Sequence, residues 1–203
     1  MALEHATGAH EMETSTGLDN RKLFMWLFLA SDCLFFGSLI ATYLLYRGRD
    51  QALGMPGPHP HEVFDIPYTS VSSFVLLMSS LTMVLALAAI QRGDVRGLRI
   101  WLLATATLGM TFLGGQAYEF TTFVHEGLTP STNLFGSSFF VLTGFHGAHV
   151  AVGVFILLSI FTMASMGRIQ QKDSLTIEIA GLYWHFVDIV WILIFTLVYL
   201  LPQ

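Results

Sequence analysis

The sequence predicts an all-α polytopic membrane protein, a bundle of five transmembrane helices. Three observations carry this. Hydrophobic residues make up 54% of the chain and charged residues only 11%, where a soluble domain carries about 25%. The apolar residues gather in long runs separated by short polar stretches, the pattern of repeated membrane crossings. One run, residues 181 to 200, has the length a helix needs, about 20 residues for a core of about 30 Å. His185 and Asp188 stand near its start, and ionisable groups at that depth face a protein partner or a polar cavity.

Residues 1–21 read as a flexible polar tail, acidic and short of aromatics. They lack the basic region and short apolar core of a cleavable signal, so the first span is expected to direct insertion. The transmembrane domain, residues 22–203, divides into spans at about 22–46, 70–90, 98–120, 134–166 and 175–201. Arg47, Arg49 and Asp50 end the first span. The loop after it holds Pro56, Pro58, Pro60 and Pro67, a density that rules out regular helix. The fourth span is long enough to require tilt, and Pro202 closes the fifth.

Five crossings put the termini on opposite sides. Arg21, Lys22, Arg92, Arg96, Arg99, Arg168 and Lys172 fall on one side, and only Arg47 and Arg49 on the other. The positive-inside rule therefore places the N-terminus in the cytoplasm and the C-terminus outside. No basic cluster suits nucleic acid. The single cysteine, Cys33, fits no metal-binding spacing and reads as a small apolar filler. Small residues recur (Gly37 and Ala41, Gly114 and Gly115, Gly144, Gly147, Ala148, Gly153) and allow close helix approach within the bundle or against another subunit.

Asp32 sits mid-span in Leu29-Ala-Ser-Asp-Cys-Leu-Phe-Phe36, where a carboxylate costs about 2.5 to 3.5 kcal/mol on insertion scales. It reads either as a proton relay or as a neutral carboxyl hydrogen-bonded to a neighbouring helix. His146 and His149 lie three apart in Thr143-Gly-Phe-His-Gly-Ala-His-Val150, on one helix face. Such a face suits contacts to helices, lipid headgroups or a neighbouring subunit. For haem ligation the facing helix would have to supply the second ligand, His185. Gln116 and Glu119 form a polar pair near the end of the third span. Tyr183, Trp184 and Trp191 fit aromatic packing or an interfacial belt. There is no phosphate loop, Walker lysine or nucleophilic triad, so no catalytic machinery is visible.

These residues carry a resemblance. Tyr183-Trp-His-Phe-Val-Asp-Ile-Val-Trp191, Gly144-Phe-His-Gly-Ala-His-Val150, Gln116-Ala-Tyr-Glu-Phe120 and Ser31-Asp-Cys-Leu-Phe-Phe36 resemble, in order, the blocks of subunit III of the haem-copper terminal oxidases in its five-helix bacterial form. The resemblance covers roughly residues 22 to 201. It implies a cofactor-free accessory subunit in a bacterial cell membrane, crossing it several times. The chain would pack against subunit I, with subunit II and a small subunit IV as further partners. Haem and copper would belong to those partners. Phospholipid would bind between its helices, and the chain would sustain proton uptake by a proton-pumping oxidase.

Asp32 takes the place of the family's buried acid, often Glu and one methylene longer. Gln116, Glu119, His146, His149, Trp184, His185 and Asp188 match polar or aromatic motif positions and are expected to contact lipid or other helices, with no metal ligation. The two extra N-terminal helices of the seven-helix form are lacking, and with them part of the lipid cleft's wall. Phe145 and Gln116 look like the cytochrome c group. The Ser-Asp-Cys block looks like the quinol group. The expectation is cytochrome c oxidase, with quinol oxidase as the alternative. A free-standing proton-coupled transporter using Asp32 and Glu119 is a third reading, against which the odd helix count and the lack of an internal repeat weigh.

Overall fold

The computed structural model describes residues 19–47, 49, 53 and 64–201. The tail up to Leu18, the loop prolines Pro56, Pro58 and Pro60, and Pro202 lie outside the described residues. The helices are α1 (Asn20–Tyr46), α2 (Ile66–Gln91), α3 (Val95–His125), α4 (Leu134–Ser165) and α5 (Ser174–Ile194). A 3₁₀ turn (Gln171–Asp173) leads into α5, and a π-helical turn (Phe195–Leu200) extends it. Among the described residues, five helical stretches are long and apolar enough to cross a membrane, and none is a strand.

Short polar side chains start the helices. Asp19 accepts from Arg21 N, Asp65 from Tyr68 N, Asp94 from Gly97 N and Asn133 from Gly136 N. Each bond satisfies an orphan amide of a first turn. Asp19 also meets the Arg21 guanidinium, and these bonds hold its carboxyl below its ordinary value. Three of the ends are set by glycine. At Gly93 φ is +76°, Gly93 N donates to Ile90 O and Asp94 N to Ala89 O, the paired bonds of a Schellman stop. Gly127 and Gly167 close α3 and α4 with the same two bonds.

These signals move several boundaries. α1 starts at Asn20, because Asp19 caps it. α2 starts at Ile66, ahead of the expected residue 70, and Pro67 is in its first turn. There a missing N–H costs nothing and the ring's fixed φ suits the helix. α3 runs on to His125 before Gly127 stops it.

α2, α3, α4 and α5 form a closed ring of neighbours, and α1 lies outside it against α4 and α5. α3 buries Ala106 and, along one line, Leu98, Leu102, Thr105, Gly109, Phe112, Gln116, Glu119 and Phe123. Their alternating steps of four and three give the seam of a gently crossing helix pair. α1 buries only Leu29, Phe36 and Tyr43, seven apart, a strip one side chain wide. Over its most apolar window 11% of residues are buried, against 56% for the last span. Lys22 pairs with Glu178 at one end of α1, and Arg47 donates to Leu201 O at 2.6 Å at the other.

Candidate functional site: three polar junctions inside the bundle

The first junction joins α5 to α2. Asp188, 2% exposed, accepts from the Ser80 hydroxyl through Oδ2. With its proton given to Asp188, Ser80 Oγ accepts from His185 Nδ1 at 3.0 Å. His185 and Asp188, three apart on α5, thus converge on one serine. The two tryptophans continue the seam. Trp184 Nε1 donates to Ser79 Oγ at 2.9 Å and Trp191 Nε1 to Ser73 Oγ at 2.8 Å. These serines pass their own protons to Leu76 O and Thr69 O. An indole N–H buried in an apolar bundle needs such an acceptor.

The second junction holds α3 between α2 and α4. Gln116 Nε2 donates to Thr143 O at 2.8 Å, and Gly147 lets it approach, since a Cβ there would stand 2.6 Å from Gln116 Oε1. Glu119 accepts from Thr69 of α2. It also lines a cleft of about 510 Å³ with Asp65, Tyr68, Tyr118 and Glu126. Gln116 and Glu119 share a face as the sequence implies, yet serve different neighbours.

The third junction joins α1 to α4. Asp32 Oδ2 faces His149 Nε2 at 3.9 Å, and His149 Nδ1 donates to Phe145 O at 2.7 Å. The rings of Phe35 and Phe36 flank the imidazole, with centroids at 6.3 and 5.0 Å. Tyr183 of α5 donates to His149 O at 3.0 Å. Beside the pair runs an apolar groove of about 540 Å³ between α1 and α4.

His146 and His149 do not act as one face. His149 turns to α1, while His146, fully buried, donates from Nε2 to Val187 O of α5 at 3.2 Å. Positions three apart are separated by about 60° around a helix. At the point where α1 and α5 both touch α4, that angle is enough to send the two rings to different neighbours. Sequence reasoning missed the hydroxyls that receive these groups: Thr69, Ser73, Ser79 and Ser80, all on α2. Their signal was present as polar residues four apart (Thr69 and Ser73) and seven apart (Ser73 and Ser80) inside an apolar span.

The profile of the family described as Cytochrome c oxidase subunit III matches residues 1–202. Quinol oxidase subunit 3 of Bacillus subtilis (strain 168) is 38% identical over 204 residues, 98% of each chain. Cytochrome c oxidase subunit 3 of Bacillus sp. (strain PS3) is 38% identical over 182 residues, 90% of this chain and 86% of the relative. Cytochrome c oxidase subunit 3 of Thermostichus vulcanus is 39% identical over 186 residues, 91% and 89%. A match over essentially the whole length, on a five-helix bundle in which Gln116, Glu119, His146, His185 and Asp188 lie at helix junctions, places this multi-pass chain in the cytochrome c oxidase subunit III family.

Proposed function

We propose that the chain is the accessory, non-catalytic subunit III of a proton-pumping cytochrome c oxidase in a bacterial cell membrane. It holds no haem or copper of its own and packs on the subunit I that carries them, with subunit II and a small subunit IV as further neighbours. The N-terminus lies in the cytoplasm. Phospholipid occupies the groove between α1 and α4, and the chain supports proton uptake by the complex.

The observation that supports the accessory reading is where the polar side chains go. Gln116, Glu119, His146, Trp184, His185 and Asp188 each bond a group on another helix of the same chain. They are spent on architecture. The groove between α1 and α4 is left as an apolar surface suited to acyl chains.

Quinol oxidase is the second reading for the electron donor, favoured by the relative matched over 98% of both chains. The complex is purified from its native membrane in mild detergent and its subunits and reduced-minus-oxidised spectrum recorded. Co-purification with a haem- and copper-bearing partner that reduces oxygen from reduced cytochrome c is the expected result. Oxidation of quinol but not cytochrome c moves the chain to the second reading. A colourless, self-contained oligomer overturns both.

A further inference from the structure

The hydrogen bonds around Asp32 and His149 fix how many protons the two share. A carbonyl oxygen only accepts, so His149 Nδ1, 2.7 Å from Phe145 O, carries a hydrogen whatever the charge on the ring. That leaves Nε2, which faces Asp32 Oδ2 at 3.9 Å. This oxygen is buried and has no other partner. Two arrangements match: a protonated carboxyl facing a bare Nε2, or a carboxylate facing Nε2–H. Both hold one proton. With none, a carboxylate faces a lone pair. With two, a carboxyl hydrogen faces an N–H. Each of these leaves a net charge inside a span, which is costly in hydrocarbon.

We infer that Asp32 and His149 form one coupled proton site, a carboxyl–imidazole pair that holds a single proton and, in its resting form, is neutral. The inference rests on the proposed function. Moving the proton breaks the Oδ2–H bond and forms Nε2–H, with no other atom transferred. The ionisable groups facing the pair are Tyr183 of α5 and His146 of α4. Tyr183 donates to His149 O, and His146 donates from Nε2 to Val187 O while its buried Nδ1 has no hydrogen-bond partner.

The pair also has an approach. His149 forms part of the wall of the groove between α1 and α4, whereas Asp32 Oδ2 is buried behind it. Phe24 and Met25 line this groove and also a second, of about 500 Å³, that begins at Asn20, Arg21 and Thr176. The two grooves therefore run on from the polar end of α1 towards a pair about 18 Å along the helix, at ~1.5 Å per residue. Seen from the groove, His149 is the outer member and Asp32 the inner one.

The test uses the oxidase complex purified with this chain. Infrared spectra against pH read Asp32 through the carbonyl stretch of a protonated carboxylic acid, assigned by its loss in Asp32→Asn. The band is expected in the wild type. In His149→Gln its midpoint is expected to move by about one pH unit or more, tenfold in proton affinity, as coupled sites do. Asp32→Glu, whose longer side chain closes the gap to Nε2, should keep the band and its dependence on His149. A wild type that shows neither the carboxylic-acid band nor the ring bands of a doubly protonated His149 imidazole, or a midpoint indifferent to His149→Gln, overturns the inference. Haem spectra and subunit composition of the same samples report on the functional reading separately. If the chain purifies without a haem-bearing partner, that reading fails, and the same titration on the chain alone still decides the proton pair.

Discussion

Trp184 of α5 donates its indole hydrogen to Ser79 of α2 while its ring lies against two glycines. A Cβ at Gly109 of α3 would stand 2.6 Å from the ring, and one at Gly153 of α4 2.8 Å. One side chain thus touches the other three helices of the ring. Gly109→Ala and Gly153→Ala should each destabilise the subunit by about 1 to 3 kcal/mol, the usual range for overpacking. The check is the temperature at which the chain dissociates or aggregates in the solubilised complex. Gly114→Ala, whose Cβ meets nothing in this chain, should leave that temperature unchanged. A loss there would mark Gly114 as a contact with a partner chain.

Ser80 is the common partner of His185 and Asp188. Ser80→Ala removes both bonds and leaves a buried carboxyl unsatisfied, so a loss of about 1 to 3 kcal/mol is expected. Asp188→Asn keeps a group that Ser80 can bond and should lose less. Thermal unfolding of the two variants side by side decides this, and an equal or larger loss in Asp188→Asn would mean that the carboxylate itself is required.

Gly93 stands at φ +76°, and a Cβ there would make only ordinary contacts with Gln171. Gly93→Ala therefore strains the backbone without a clash, at about 1 to 2 kcal/mol. Gly93→Asn, a residue that tolerates this region better, should recover part of the loss in the same unfolding measurement.

Asp32→Asn removes the carboxyl but keeps its shape. Assembly and haem spectra should be unchanged, and turnover should fall chiefly at high pH, where proton supply limits the rate. Oxygen consumption by the purified complex across pH is the measurement. A rate equal to wild type at every pH would make Asp32 a purely structural group.

The number and order of the spans were legible in the sequence because bilayer length and apolar runs depend on composition alone. The candidate polar residues were legible for the same reason, since Asp32, His146 and Asp188 stand out against an apolar background. Their partners were not. Ser73, Ser79 and Ser80 are ordinary residues of a membrane span until α5 is docked beside them. The divergence of His146 and His149 depends on which helices flank α4, and periodicity within α4 carries no information about that. The start of α2 and the end of α3 moved for a local reason. Asp19, Asp65 and Gly127 are cap and stop residues, and an apolar-run reading passes over them in favour of the hydrophobic stretch.

α1 is held by a narrow apolar strip, one pair near its middle and a latch at each end, all of them to α4, α5 and the turn that extends α5. Those elements come late in the chain. At roughly 5 to 20 residues per second of synthesis, α1 waits on the order of 4 to 18 seconds in the bilayer before α4 begins to emerge. During that interval Asp32 has no His149 to face and Lys22 no Glu178. The earliest helix made thus docks only once the fourth has emerged, and until then its residence in the membrane depends on its own hydrophobicity against an unpaired carboxyl. A chain truncated after α3 should leave α1 open to crosslinking with lipid or insertion machinery, where the full-length chain closes it off.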